Sequence, residues 1–235
     1  MPVDENAKAI IENAIEAMGG AKHLKNVKDI TIIHRHASFE DTIRYRAPDR
    51  ITRESNFPWA SLCIGFDGTF SWVKATDNTV SFEEGKSAVV QWLFHRIDTL
   101  LITKVIDSDA SVEYIGGKSL RYFEAEEMVQ KPVSLIKATF PDGWIFRLYF
   151  CRDRGLLVKE EYRHTEHQTR YVERFFDAHK KVKHILLPSR IYELNPHSKA
   201  IKRIRVKYEI NKGLHRRSFK VPEQCAELQK ENTGR

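Results

Sequence analysis

The ten histidines of this 235-residue chain are the first side chains to weigh for chemistry. His34 and His36 stand two apart in an alternating stretch, so a strand would present both on one face. That spacing suits two metal ligands or an acid–base pair. Zinc needs at least three protein ligands, and no third ligand is visible near them. His164 and His167 flank a turn, and strand spacing sends them to opposite faces. No metal site is therefore expected. Proton transfer, if the chain performs it, falls to His36 or His95, because imidazole changes charge near neutral pH. No G-x-S-x-G occurs, and no S-x-x-K sits on a suitable element. Neither a dinucleotide fingerprint nor a P-loop follows a strand, and Gly116-Gly117 reads as a hairpin turn. No cofactor is expected.

Aromatic side chains make a stronger pattern. In the segment Phe140–Tyr162, FPDGWIFRLYFCRDRGLLVKEEY, two strands meet at the turn Arg152-Asp153-Arg154-Gly155. Alternation puts Trp144, Phe146, Leu148 and Phe150 on one face, which is wholly apolar. Ile145, Arg147, Tyr149 and Cys151 take the other, mixed like a face near water. An aromatic face of this kind must be covered by a helix or by a ligand. Tyr45, Trp72, Trp92 and Phe94 extend the set. Each ring alone could simply bind a helix to the sheet. Together they match the mostly apolar lining of a small-molecule site, with His34, His36, Arg44, Arg46 and His95 as its polar groups.

The elements that would position these residues follow from periodicity. Asp4 caps an expected helix over Glu5–Met18, whose stripe of Ala7, Ile10, Ile11, Ala14, Ile15 and Met18 ends at Gly19-Gly20. A short turn of helix over Ala21–Val27 follows. From Asp29 the period is two, with strands at Asp29–Phe39, Asp41–Ala47 and Arg50–Ser55, then a hairpin of Ala60–Phe66 and Thr69–Lys74 across Asp67-Gly68. Helical spacing returns between Ser81 and Ile106, with Glu83-Glu84 near its start. That helix suits a lid over the sheet. Strands resume at Ser111–Tyr114, Gly117–Met128, Val133–Phe140, the central pair, Arg170–Phe176, Leu186–Leu194 and Ile201–Ile210. A last extended piece, Ser218–Pro222, hangs on Phe219. About eleven strands on short turns must be mainly antiparallel, because parallel pairs need long crossovers. One domain over 1–222 and a polar tail over 223–235 are expected.

The hydrophobic fraction of 41% and charged fraction of 30% are those of an ordinary globular chain. No apolar run is long enough to span a bilayer as a helix. The start, MPVDENAKAI, lacks the basic and apolar regions of a secretory signal, which leaves two addresses open: periplasmic if a leader has been removed, otherwise cytoplasmic. Cys63, Cys151 and Cys225 read as unpaired thiols. The formal charge of +7 gathers in His179–His184 and in Lys199–Lys207, where Lys199, Arg203, Arg205 and Lys207 share a face. Such a row is the solvated back of a strand or a contact for an anionic headgroup or membrane surface. Nucleic acid is not expected, for want of a recognition helix or an aromatic-basic signature.

Several short motifs, in order along nearly the whole chain, resemble the bacterial LolA/LolB/LppX-like superfamily. They are Ile15-Glu16-Ala17-Met18-Gly19-Gly20-Ala21-Lys22-His23-Leu24, Gly65-Phe66-Asp67-Gly68 with Trp72, Val112-Glu113-Tyr114-Ile115-Gly116, Leu148-Tyr149-Phe150 with Gly155-Leu156-Leu157-Val158, and Ile185-Leu186-Leu187-Pro188. The resemblance implies a mainly β, α+β fold: a curved antiparallel half-barrel of about eleven strands with an N-terminal helix and a helical lid on its concave face. It also implies a hydrophobic ligand, a lipid or acyl chain, held there by a carrier or sensor. No lipobox cysteine stands near the N-terminus. A second reading uses the same cavity for a cofactor-independent cytoplasmic enzyme of specialised metabolism, as in the violacein-pathway protein that resembles this superfamily.

Overall fold

The structure is a computed structural model that describes residues 4–106, 108–166, 170–194 and 200–220. His167, Lys199, Cys225 and the tail from 221 therefore lie outside the described residues. The chain is mainly β, as its alternation requires. Thirteen antiparallel strands form one open sheet in the order β6-β5-β4-β3-β2-β1-β13-β12-β11-β10-β9-β8-β7. In chain order these are β1 (Asp29–Arg35), β2 (Glu40–Arg46), β3 (Arg50–Phe57), β4 (Ala60–Phe66), β5 (Phe70–Lys74), β6 (Val80–Glu84), β7 (Ser111–Glu124), β8 (Glu127–Thr139), β9 (Trp144–Cys151), β10 (Leu157–His164), β11 (Val172–Val182), β12 (Ile185–Leu194) and β13 (Ile201–Ile210). Among the described residues four α-helices accompany them: α1 (Glu5–Ala17), α2 (Ala21–Lys25), α3 (Ala88–Leu100) and α4 (Thr103–Ile106). Two compact units share the chain, one of residues 1–26 with 98–206 and one of 27–97 with 207–235.

Several sequence expectations change, beginning with the strand count, which is thirteen and not about eleven. Glu83 and Glu84 do not open the helix; they end β6, where Phe82 pairs with Trp72. Val80, Phe82 and Glu84 alternate, and pairing with β5 outweighs the value of acids at a helix start. Gly116-Gly117 is not a hairpin turn either. The register slips between Tyr114 and Gly116, so Ile115 bulges and both glycines pair with β8 inside one long β7. The hairpin turns instead at Ala125 and Glu126, non-glycine residues with φ of 51° and 75°. That left-handed pair is held by Asp177, whose carboxylate accepts both amides at 2.8 and 3.1 Å.

The second face of β9 is a further correction. Ile145, Tyr149 and Cys151 are buried, not wet. Tyr122, Val133, Leu135, Val158 and Tyr149 form a small core there with Cys151. Phe123 of β7 stacks on Tyr192 of β12 with ring centroids 3.9 Å apart. The far half of the β7–β8 hairpin therefore folds back over this face. Glu126 at its tip pairs with Arg190 and Arg203.

Local chemistry explains the helix ends. The Asp4 carboxylate accepts the Asn6 and Ala7 amides, capping α1. Gly19 closes it with φ of 117°, against the His184 carbonyl, where a Cβ would collide. In β13 the alternation holds: Ile204, Val206, Tyr208 and Ile210 are buried while Arg203, Arg205 and Lys207 are exposed. Phe219 is fully buried, as expected of an anchor, but it ends a 3-10 turn over Arg216–Phe219, not an extended piece.

Candidate ligand-binding site

In the first unit, β9 supplies the apolar wall. Trp144, Phe146, Leu148 and Phe150 share one face and are all buried. Their register partners on β10 are His164, Tyr162, Glu160 and Leu157. Phe146 stacks on Tyr162 at 5.6 Å and meets Phe140 edge-on at 5.8 Å. The end of α3 and the turn after it bring Leu100 and Ile102 to the Phe150 end of this wall. Met18, Thr99, Leu100, Ile102, Phe150, Leu156, Phe176 and Leu186 enclose a cavity of about 20 Å³ with His179 and Pro188. That is room for one water. Leu100 and Ile102 close the cavity from the side of α3 and the following turn.

Two polar features interrupt the apolar surface. Burial pushes His179 down to a pKa of about 4, aided by the nearby Arg154 guanidinium. It is a neutral imidazole in the cavity wall at physiological pH. Beside Leu148, the Glu160 carboxylate accepts from Arg174 at 2.8 Å and from the Thr99 hydroxyl at 3.3 Å, all three groups buried. The Arg174 guanidinium also lies 5.6 Å from the Phe176 ring centroid. Sequence reasoning does not single out this pair. A signal for it is present, however, because Glu160 and Arg174 occupy the same alternating positions as Tyr162 and Phe176.

In the second unit, one face of β1–β4 carries Ile30, Ile32, Ile43, Tyr45, Ile51, Ile64 and Phe66. Phe94 of α3 lies edge-on to Tyr45 and Phe66, each 6.1 Å away. At the other end of this face the character becomes polar. Asp41 is buried and accepts from Arg53 at 2.8 Å, with His36 Nε2 3.3 Å away. Burial works against its charge, but His36, Arg53 and Ser55 outweigh it and hold the carboxyl well below the usual range. The Arg53 and Arg96 guanidinium groups lie 5.7 and 4.8 Å from the Trp92 ring. The His34 and His36 rings sit 6.4 Å apart, and His36 stacks on Phe39 at 4.0 Å.

The expected residues thus fall into three groups. Trp144, Phe146, Leu148 and Phe150 come together on the first unit's wall; Tyr45 and Phe94, with Trp92 near the polar end, come together in the second. Trp72 stands apart. Pairing with Gly65 turns it to the opposite face from Tyr45, where its indole N–H donates to the Phe219 carbonyl at 3.4 Å. Arg44 and Arg46 share that opposite face, engaged by Glu54 and by the Leu214 carbonyl. His95 is half-buried on α3.

No family model matches the sequence, and no curated protein matches it at a significant level. Solved structures do. A LolA superfamily protein from Nitrosomonas europaea is similar with a TM-score of 0.58 at 11% identity, over 92% of this chain and 97% of that one. A putative outer membrane lipoprotein-sorting protein domain from Vibrio parahaemolyticus is similar with a TM-score of 0.53 at 10% identity, over 91% and 97%. The fold is LolA-like.

Proposed function

We propose that the protein binds a hydrophobic ligand, a lipid or single acyl chain, against the wall of Phe146, Leu148 and Phe150, as a carrier or sensor. The observation that carries this reading is the cover over the Phe150 end of that wall. Leu100 and Ile102 flank the break between α3 and α4, and they fill the space with two side chains on a short, interrupted helical segment. Their withdrawal exposes apolar surface that an alkyl chain re-covers, at about 0.8 kcal/mol per methylene. Trp144, at one end of the wall, reports the exchange. The LolA-like fold, shared with a lipoprotein-sorting domain, supports the same reading.

Native mass spectrometry of gently purified protein, with displacement of a fluorescent long-chain fatty acid, tests it. A co-purified lipid and saturable displacement are expected. Absence of both, together with unchanged Trp emission on adding fatty acid, overturns it.

A further inference from the structure

The cavity wall continues into a lysine-rich corner, with Glu16 of α1 at its border. Met18 leads through Gly19-Gly20 into α2, and Leu186 leads back into the β11–β12 turn. These two segments, far apart in sequence, are fastened together. The Leu186 amide donates to the Met18 carbonyl at 2.9 Å, and the His23 and His184 rings stack with centroids 4.5 Å apart. Around that stack stand Lys22, Lys180, Lys181 and Lys183, all exposed. None of the four has an acidic partner among the described residues, whereas lysines elsewhere in this unit, such as Lys131 and Lys159, are paired with glutamates. Lys180 and Lys181 alternate to the two faces of β11 near its end, so the ammonium groups flank the hairpin tip on both sides. They offer donors and no acceptors, which suits an anionic surface.

We propose that this corner docks the protein on an anionic bilayer. Flexible lysines on a turn and a helix end suit a diffuse layer of lipid phosphates better than a single bound anion, which takes a rigid fork of donors. The apolar cavity begins within a few residues of the corner, since Met18, Leu186, Pro188 and His179 line one and adjoin the other. Docking here brings the proposed binding wall to the surface from which a lipid is drawn or to which it is delivered, and in that respect it rests on the ligand reading above.

Co-sedimentation with vesicles of phosphatidylcholine alone, and of phosphatidylcholine with phosphatidylglycerol, tests the proposal. The chain should sediment with the anionic vesicles only, and less as salt rises. Neutralising Lys22, Lys180, Lys181 and Lys183 to Gln should weaken binding several hundredfold, at roughly fivefold per lysine. A control removing the same charge elsewhere, with Lys28, Lys212, Arg217 and Lys220 changed to Gln, should stay within about fivefold of the parent. Equal loss in both variants, or no binding to anionic vesicles, overturns the proposal. So does binding of DNA or polyglutamate at the corner without vesicle binding. Fatty-acid displacement is measured on monomeric ligand without vesicles, so loss of docking and failure of the cavity reading are told apart.

Discussion

Asp177 shows how much one side chain can organise. Its oxygens accept the amides of Ala125, Glu126 and Ala178 and the Arg190 guanidinium. Burial opposes its charge, but these donors hold the carboxyl below the ordinary range. The stability it contributes is therefore present above the usual carboxylate pKa and is lost as pH falls through the lower native value. Asp177→Ala should cost about 2–4 kcal/mol in urea denaturation, because it orphans three amides and leaves Arg190 with Glu126 alone. His179 works over a different range. Its native pKa of about 4 lies below the ordinary 6.5. Between those values the unfolded chain takes a proton that the native chain refuses. Stability is then full above pH 6.5 and declines towards pH 4 by up to about 3 kcal/mol, and His179→Leu should flatten that limb. Gly65→Ala should push the Trp72 ring from its seat, costing about 1–3 kcal/mol and shifting Trp emission. None of these pairings can be read from the chain, because each joins residues that only the register brings together.

Periodicity locates most elements. The α1 stripe, the capping Asp4 and the alternation of β9 and β13 all hold, with boundaries nearly intact. The departures have physical causes. Glycine pairs mark turns by flexibility, and a bulge uses the same flexibility, so in sequence Gly116-Gly117 is indistinguishable from a hairpin. Two non-glycine residues make the actual turn, stabilised by an acceptor 51 residues from Glu126. The mixed pattern of Ile145, Arg147, Tyr149 and Cys151 reads as a wet face, yet a folded-back hairpin can bury such a face. At this scale the ligand reading makes its sharpest prediction. Leu100 is half-buried, so Leu100→Ala enlarges the cavity at a cost of about 1–2 kcal/mol in stability. It should tighten binding of a palmitate-length fatty acid in the displacement assay. Unchanged or weaker affinity would count against the wall as the binding surface.

For the whole chain, fold class is legible in the sequence and the location of the site only partly. Strand after strand on short connections forces an antiparallel sheet, whatever the ligand. Which face of each strand is covered depends on long-range pairing, so the sequence groups Trp72 with Tyr45 although the sheet separates them. A ligand that binds only the native state should raise stability by about 2.7 kcal/mol at a hundredfold excess over Kd, visible as a higher melting temperature with fatty acid. The four-lysine variant should keep that rise. The hairpin over the second face gives the molecule an internal clock. Cys151 lies wholly beneath it. Burial opposes ionisation of its thiol, but Tyr122 and the Asp153-Arg154 turn lower its pKa, whereas burial pushes Cys63 up to about 11 and slows its reaction. In a Cys225→Ser background, alkylation of Cys151 would count the moments when the hairpin lifts.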